Sequence, residues 1–182
     1  MQRQFLKYGC IILLLFAGIG GDQWSKKWAA TNLKNQPTRE LIKNALDVGY
    51  TENHGMVFGI NNRNDNHVSR NGLLIVRILL SIGLIGYLIY NHRKTFVFHV
   101  PFVLILSGAF GNVIDSLRFG HVIDFIHMHL GKIVDWPFLY NLADAYVCIG
   151  MGFLIVQSLI SDKRRPPVPG STAPGSTPPQ AE

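Results

Sequence analysis

The chain has 182 residues, of which 48% are hydrophobic and 15% are charged, and its formal net charge is +6. Soluble domains usually have a charged fraction of about 25%, so this composition indicates an integral membrane protein. The positive mean hydropathy of +0.20 agrees with that class. The basic residues are scattered, without a basic helix or an aromatic RNA motif. We therefore expect membrane lipids, and not nucleic acid, as their partners.

The first apolar segment covers residues 5–21 and follows Arg3 and Lys7. A basic start before an apolar run also occurs in cleaved signal peptides, which is the alternative interpretation. A small-x-small cleavage site does not follow cleanly, and the helical pattern continues. Trp24 and Trp28 lie four residues apart, as in an interfacial aromatic pair. We therefore predict a retained transmembrane helix.

Three further apolar segments are long enough, or nearly so, to cross about 30 Å of hydrocarbon. They cover residues 73–90, 96–114 and 142–160, and a hairpin at 91–94 joins the first two. Four helices would put both termini and this hairpin on one side of the membrane. The raw count of Lys and Arg does not orient the protein. The short segments on that side are denser in positive charge, which favours a cytoplasmic location for both termini.

Residues 29–70 form the one substantial region expected outside the membrane. Short apolar runs at 45–48 and 56–60 lie between turn-forming residues, which predicts a small sheet on the membrane surface. Residues 166–182 are rich in Pro, Gly, Ser and Thr and are predicted to be disordered. The expected organisation is thus a single membrane-embedded domain over 1–165, with β structure in its outer region, followed by this tail.

Polar side chains interrupt the apolar segments or directly follow them. The main examples are Asp22, Asn53, Asn112, Asp115, Asp124, Asn141 and Asp144. An ionisable residue within hydrocarbon costs roughly 2.5–3.5 kcal/mol on insertion scales. One such residue is readily explained as a helix cap at the interface. Repetition of the pattern indicates a functional use.

Two of these groups have the same spacing. Asn112 and Asp115 are three residues apart near the end of the third segment, and Asn141 and Asp144 are three apart at the start of the fourth. Residues three apart share a helix face. Each pair is therefore expected to present both polar groups to a neighbouring helix.

Asp124 and Asp144 are the candidate catalytic pair. The chain between them leaves the membrane surface and returns to the same side, so the two carboxylates can meet at one interface. Two carboxylates at close range share a proton, and such a pair can deprotonate water while protonating a carbonyl oxygen or a leaving amine. The alternative is that Asp124 begins a turn and Asp144 only caps the fourth helix.

Histidines offer a competing site. His121, Asp124, His127 and His129 fall within nine residues, a composition that can bind zinc and support a metal-dependent protease. The HExxH spacing of zinc proteases is missing. His127 and His129 would share a face only in a strand. We therefore predict no metal site here.

Two further alternatives are weaker. A transporter or non-enzymatic binder can use the same buried polar residues for proton or ion passage. A Ser–Lys hydrolase is suggested by Ser25 and Lys26, but adjacent residues on a helix do not face each other.

Five polar stretches in a fixed order are the most specific feature of the chain. They are Asp22-Gln23-x-Ser25-Lys26, Glu52-Asn53-x-Gly55 with Phe58, Ser107-Gly108-Ala109-x-Gly111-Asn112-x-x-Asp115, Gly120-x-Val122-x-Asp124-Phe125 and Trp136-Pro137-x-x-Tyr140-Asn141-x-Ala143-Asp144. In these stretches the chain resembles the lipoprotein signal peptidases, also called signal peptidase II, of the bacterial inner membrane. The resemblance covers residues 22–144.

The resemblance implies an α-helical membrane protein with four transmembrane helices and a small extracytoplasmic β cradle. It also implies an aspartic endopeptidase, without metal or cofactor, that removes the signal peptide of diacylglyceryl-modified prolipoproteins before the lipidated cysteine. Asp124 and Asp144 match the family's catalytic dyad. The residues that match its surroundings are Asp22, Asn53, Gly55, Asn112, Asp115 and Asn141. We expect a monomer whose partners are the lipidated substrate and membrane lipids.

The chain departs from the family's pattern at three places. Ser116 follows Asp115 where the family usually has Arg. Residues 56–58 read Met-Val-Phe, which differs from the residues common in the family. The family often has Phe at the position of Tyr140. A serine cannot supply the planar set of donors that a guanidinium offers to carbonyl groups. Arg118 lies three residues after Asp115, so the two share a face and could pair if the third helix continues that far. We predict that Arg118 partly replaces the missing side chain. The alternative is that it extends to lipid head groups.

Overall fold

The computed structural model describes residues 2–54, 66–130 and 133–162. Its helices are α1 (Gln2–Asn32), α2 (Asn66–Tyr90), α3 (Phe96–Phe119) and α4 (Leu142–Asp162). Its strands are β1 (Arg39–Ile42), β2 (Leu46–Asn53), β3 (Val122–Leu130) and β4 (Val134–Tyr140). The run at 56–60, Gly55 and the predicted tail lie outside the described residues.

The described part of the chain contains four helices that are long and apolar enough to cross a membrane. This confirms the predicted fold class. Large apolar side chains such as Leu79, Leu80 and Ile82 are more than half exposed on α2, as expected where lipid is the solvent. All four helices are longer than the apolar segments that the sequence predicted. The largest extensions are at the end of α1, which continues to Asn32, at the start of α2, which begins at Asn66, and at the end of α3, which continues to Phe119.

Helix α3 lies at the centre of the bundle, against α1, α2 and α4. Its buried apolar side chains include Val103, Leu106 and Val113. The backbone of α4 comes very close at Gly108, where an added Cβ would lie 2.2 Å from the carbonyl oxygen of Ala143. A small residue is required there, as at other close helix crossings in membranes.

Helix α3 ends at Gly120, which has the left-handed φ of 75° and donates its backbone N–H to the carbonyl of Ser116. Glycine adopts this conformation without a Cβ penalty. The chain therefore turns sharply and enters β3 at Val122. This turn places Asp124 close to the end of α3.

The sheet has the order β1-β2-β3-β4, and each neighbouring pair is antiparallel. The prediction of a small outer sheet is confirmed, but its boundaries were wrong. Half of the sheet comes from residues 122–140, which lie outside the predicted β region at 29–70. Asp124 lies within β3, opposite Thr51 of β2, so the alternative in which it begins a turn is wrong.

The end of α1 supports the sheet. Ala29 and Leu33 of α1 form a small buried core with Val48 of β2 and Phe125 of β3. Removal of α1 would expose this core, so the helix is an integral part of the fold. This agrees with a retained helix and not with a cleaved signal peptide.

The other end of α1 lies beside the hairpin that joins α2 to α3. The ammonium group of Lys7 donates a hydrogen bond to the carbonyl of Lys94 at 3.2 Å, and the hydroxyl of Tyr8 donates to the carbonyl of His92 at 3.2 Å. The N-terminal end of α1 and the hairpin therefore share one side of the bundle, as predicted.

Candidate active site

Asp124 lies on β3 and is held by two amide side chains. Asn53 donates from Nδ2 to its Oδ2 at 2.9 Å, and Asn141 donates from Nδ2 to its Oδ1 at 2.6 Å. Its side chain is buried, with 4% of its surface exposed. The pKa of Asp124 is raised to about 6, chiefly by burial; the nearby charge of Asp144 acts in the same direction, while the hydrogen bonds from Asn53 and Asn141 oppose the rise. The carboxyl group thus keeps its proton to a higher pH than an ordinary aspartate does.

Asp144 lies in the first turn of α4 and forms a capping box with Asn141. The backbone N–H of Asn141 donates to Oδ2 of Asp144 at 3.1 Å, and the backbone N–H of Asp144 donates to Oδ1 of Asn141 at 3.1 Å. The two hydrogen bonds satisfy N–H groups that a helix start leaves without partners. The same side chain also accepts a bond from Asn112, at 2.9 Å on Oδ1. Capping therefore describes only part of its role.

Asn112 and Asn141 join the two carboxylates into one network. Asn112 donates to Asp144, and its Oδ1 accepts from Nδ2 of Asn141 at 3.2 Å. Asn141 in turn donates to Asp124. The structure thus brings the two predicted aspartates, Asp124 and Asp144, into one hydrogen-bonded network that passes through the amide groups of Asn141 and Asn112.

A buried ion cluster lies behind this network. Nζ of Lys26 is 2.8 Å from Oδ2 of Asp22 and 3.0 Å from Oδ2 of Asp115. It also donates to Oδ1 of Asn112 at 2.8 Å. All of these side chains are at most 5% exposed. Buried charges of this kind persist only when they are paired and hydrogen-bonded.

The two acidic residues of this cluster hold the backbone beside each candidate catalytic residue. Oδ2 of Asp115 accepts from the backbone N–H of Ile123 at 3.2 Å, directly before Asp124. Oδ1 of Asp22 accepts from the backbone N–H of Ala143 at 2.9 Å, directly before Asp144. The cluster therefore fixes the positions of β3 and α4 relative to each other.

The absence of a side chain at Gly111 allows α1 and α3 to pack closely enough for Asp22 to join this cluster. An added Cβ there would lie 2.4 Å from Oδ2 of Asp22. Gln23 fills the neighbouring space and donates from Nε2 to Oδ1 of Asp115 at 2.8 Å. The small residue before Asn112 thus lets α1 bring its acidic side chain against α3.

The predicted histidine cluster is divided by the sheet. Among the described residues, two groups have donor atoms within 4.8 Å of one another that could hold a metal ion. One contains Glu52, His54 and His121, and the other contains Glu40, Asp47 and His129. Neither group includes an aspartate of the candidate pair. Asp124 therefore belongs to the asparagine network and not to a metal-binding group.

The comparisons with known proteins agree with this geometry. A family model described as signal peptidase (SPase) II matches residues 12–160. The chain is 32% identical over 154 residues to a lipoprotein signal peptidase of Clostridioides difficile (strain 630), with 84% of this chain and 97% of that protein covered. The chain belongs to the signal peptidase II family.

Other relatives agree with this membership. A lipoprotein signal peptidase of Syntrophus aciditrophicus (strain SB) is 32% identical over 164 residues, which cover 88% of this chain and 99% of that protein. A solved structure described as a bacterial membrane enzyme matches with a TM-score of 0.65 and 26% identity, covering 86% of this chain and 90% of that one. The family membership supports a peptidase and lends no support to the transporter alternative.

In this member of the signal peptidase II family, Arg118 was predicted to replace the family's arginine. It lies apart from the buried ion cluster of Lys26, Asp22 and Asp115. Arg118 is exposed, and its guanidinium carbon lies 5.0 Å from the centre of the Phe119 ring. Helix α3 does continue this far, but Asp115 pairs with Lys26 instead. The hydroxyl of Ser116 donates to the carbonyl of Asn112 at 2.8 Å within the helix. The expected pairing of Arg118 with Asp115 is therefore wrong.

Lys26 and Gln23 are members of the site that the sequence analysis did not assign. Lys26 follows Asp22 by four residues in an otherwise apolar helix, a spacing that favours an ion pair. The energetic cost of a lysine within a membrane-length segment was the sequence feature that could have indicated a role for Lys26. Its role depends on the approach of α3 to α1, which the spacing alone does not specify.

Proposed function

We propose that this protein is a prolipoprotein signal peptidase of the aspartic type. It cleaves diacylglyceryl-modified prolipoproteins before the lipidated cysteine. Membership of the signal peptidase II family supports the peptidase activity. The observation that carries the aspartic assignment is the network in which Asn112 and Asn141 join Asp124 to Asp144.

In this proposal the two aspartates have different roles at the start of the reaction. Asp124 holds the shared proton, consistent with a pKa raised to about 6 by burial. Asp144 is ionised and accepts a proton from the attacking water. The water oxygen bonds to the scissile carbonyl carbon while Asp124 gives its proton to the carbonyl oxygen, which forms a neutral tetrahedral diol.

Collapse of the diol completes the hydrolysis. Asp144 delivers the proton that it took from water to the leaving amine nitrogen, and the C–N bond breaks. Asp124 recovers its proton from a diol hydroxyl as the new carboxyl group forms. The products are the signal peptide with a new carboxyl group, which ionises on release into water, and the lipoprotein with a free amino group. The enzyme ends in its starting protonation state, without a covalent intermediate.

The supporting residues position this pair. Asn53 and Asn141 orient the carboxyl group of Asp124, and Asn112 orients that of Asp144. Asp22 and Asp115 hold the backbone before each aspartate, and Gly55, outside the described residues, remains a predicted part of the substrate site. Buried polar groups need such partners in order to keep one conformation.

We place the enzyme in the bacterial inner membrane as a monomer with both termini in the cytoplasm. The substrate's signal helix would lie along the bundle, with its acyl chains in lipid. Each buried CH₂ of an acyl chain adds about 0.8 kcal/mol of membrane partitioning. The exposed apolar surfaces of α2 and α4 suit contact with lipid.

The proposal is tested with purified full-length protein in lipid nanodiscs and a prolipoprotein carrying the diacylglyceryl group. We expect cleavage that leaves the lipidated cysteine at the new N-terminus, and a much lower kcat/KM for the unlipidated substrate. A metal-dependent protease is tested in the same assay by a chelator. Activity that is lost on chelation and restored by zinc, in protein that stays folded throughout, would contradict the aspartic mechanism.

A further inference from the structure

One group of side chains that could hold a metal ion lies on the outer sheet, apart from the aspartate network. His127 and His129 belong to β3, Asp47 to β2 and Glu40 to β1. The sequence analysis required a strand before the two histidines could share a face, and the structure provides that strand. Their imidazole rings stack with centroids 5.8 Å apart and an interplanar angle of 23°.

Asp47 lies between these two histidines. Nε2 of His129 is 3.3 Å from one carboxylate oxygen of Asp47, and Nδ1 of His127 is 3.7 Å from the other. Asp47 is paired directly with His127 across the strands and with Glu40 on its other side. Donor atoms of Glu40, Asp47 and His129 all lie within 4.8 Å of one another. Three strands thus bring two imidazoles and two carboxylates together.

The donor set matches the preferences of a divalent transition metal. Zinc binds imidazole nitrogen and carboxylate oxygen at about 2.0–2.2 Å, commonly with four ligands. Donors 3.3 to 3.7 Å apart have nearly the separation that two ligands of one such ion have. The side chains of Asp47, His127 and His129 are 15–23% exposed, whereas Glu40 is exposed. Three of the four ligands are therefore shielded, and the site is reachable from solvent on the side of Glu40.

We propose that His127, His129, Asp47 and Glu40 form a binding site for Zn²⁺ or a similar divalent transition metal. The site is separate from the catalytic pair and does not act on the substrate. A bound ion would tie β1, β2 and β3 together and stabilise the sheet that packs on the end of α1. Ligands that bind only the folded state raise its stability in proportion to their affinity and concentration.

The other candidate group is a poorer metal site. Oε1 of Glu52 accepts hydrogen bonds from Nζ of Lys34 at 2.9 Å and from the hydroxyl of Tyr50 at 3.0 Å. A lysine ammonium therefore already lies at the carboxylate that a metal would need. His54 is also 56% exposed there and would lose more freedom on binding than either histidine of the other group, which are 15–22% exposed.

The test uses tag-free, metal-stripped full-length protein in detergent at pH 7.5, titrated with Zn²⁺ by calorimetry and with Co²⁺ by visible absorption. We expect one Zn²⁺ to bind this site and to raise the melting temperature. We expect His129→Ala and Asp47→Asn each to weaken binding at least about tenfold, the effect of losing roughly 1.4 kcal/mol. His92→Ala, on the α2–α3 hairpin, and His121→Ala should bind as the wild type does.

Three results would overturn the proposal. One is a wild-type protein that does not bind Zn²⁺ or binds it without a gain in melting temperature. Another is unchanged Zn²⁺ affinity in both His129→Ala and Asp47→Asn. The last is loss of binding in His121→Ala alone, which would assign the ion to the group around Glu52. The melting temperature of each metal-free variant separates loss of a ligand from loss of the fold.

Discussion

The carboxylate of Asp115 accepts a hydrogen bond from the backbone N–H of Ile123, 3.2 Å away and directly before Asp124. Helix α3 thus fixes the start of the strand that carries a proposed catalytic residue. The same carboxylate is paired with Lys26 of α1. Asp115 is not proposed to contact the reacting atoms, but it controls the position of Asp124, which is proposed to contact them.

We predict that Asp115→Asn lowers kcat more than it raises KM. The amide removes a charge beside Lys26 and weakens the hold on Ile123, so Asp124 loses its exact placement. Misplacement by about 1 Å can cost on the order of 100-fold in rate. Steady-state kinetics with lipidated substrate measure both constants. Ser116→Ala on the same helix is the control, and equal kcat values for the two variants would refute the positioning role.

We predict that Lys26→Met destabilises the protein strongly. Removal of one partner of a buried ion pair costs about 3–5 kcal/mol, because the remaining charges stay buried without compensation. Lys27→Met changes an exposed neighbour and should have little effect. Thermal unfolding in one detergent compares the two. The double variant Lys26→Met with Asp115→Asn should recover part of the loss, and strictly additive losses would argue against the cluster.

The sequence allowed most of the surroundings of the proposed catalytic pair to be predicted, because those residues lie in short polar motifs. Asn141 and Asp144 form a capping box, which is a local feature that spacing reveals. The addition of β3 and β4 to the outer sheet was missed because the pairing of β3 with β2 is not local. Glu52 pairs with Ile123, and nothing near either residue specifies that partner.

The contacts of Lys26 and Arg118 also could not be predicted from sequence spacing, because they depend on how the helices pack. Spacing allowed Asp115 to pair with Arg118 on its own helix, whereas the close approach of α1 supplied Lys26 instead. Because the buried ammonium group of Lys26 already pairs with Asp115, that carboxylate does not require the exposed guanidinium of Arg118 as a partner. Only the three-dimensional arrangement of helices decides between two cations that the sequence offers equally.

We predict that the pH dependence of stability changes in Asp124→Asn. The pKa of Asp124 is raised from 3.8 to about 6 in the folded protein, so the folded state binds this proton more tightly than the unfolded state. The resulting stabilisation is complete below pH 4 and is lost as the pH rises to about 6. This difference in pKa between the folded and unfolded states corresponds to about 3 kcal/mol of stability.

The measurement for this prediction is the difference in melting temperature between wild type and Asp124→Asn at several pH values. The wild type should lose stability relative to the variant between pH 4 and 6, and the difference should be constant above about pH 7. A difference that does not change with pH would show that the Asp124 carboxyl group has an ordinary pKa.

We predict that Arg118→Ala raises KM by an amount equivalent to about 1–3 kcal/mol, the range for hydrogen bonds to charged groups. Arg118 is exposed at the end of α3 and is not held by Asp115, so its guanidinium can reach a substrate carbonyl. Ser116→Arg in the same background should restore part of the loss. Arg93→Ala, on the α2–α3 hairpin, is the matched control. An unchanged KM in Arg118→Ala would leave the loop after β2 as the source of the grip.

The most direct measurement of the central claim is turnover of a lipidated prolipoprotein by Asp124→Asn and by Asp144→Asn, each folded and inserted as the wild type is. General acid–base catalysis is worth roughly 100-fold or more, so each variant should retain less than about one hundredth of the wild-type rate. Retention of more than about a tenth of that rate by either folded variant would contradict its membership of a catalytic pair.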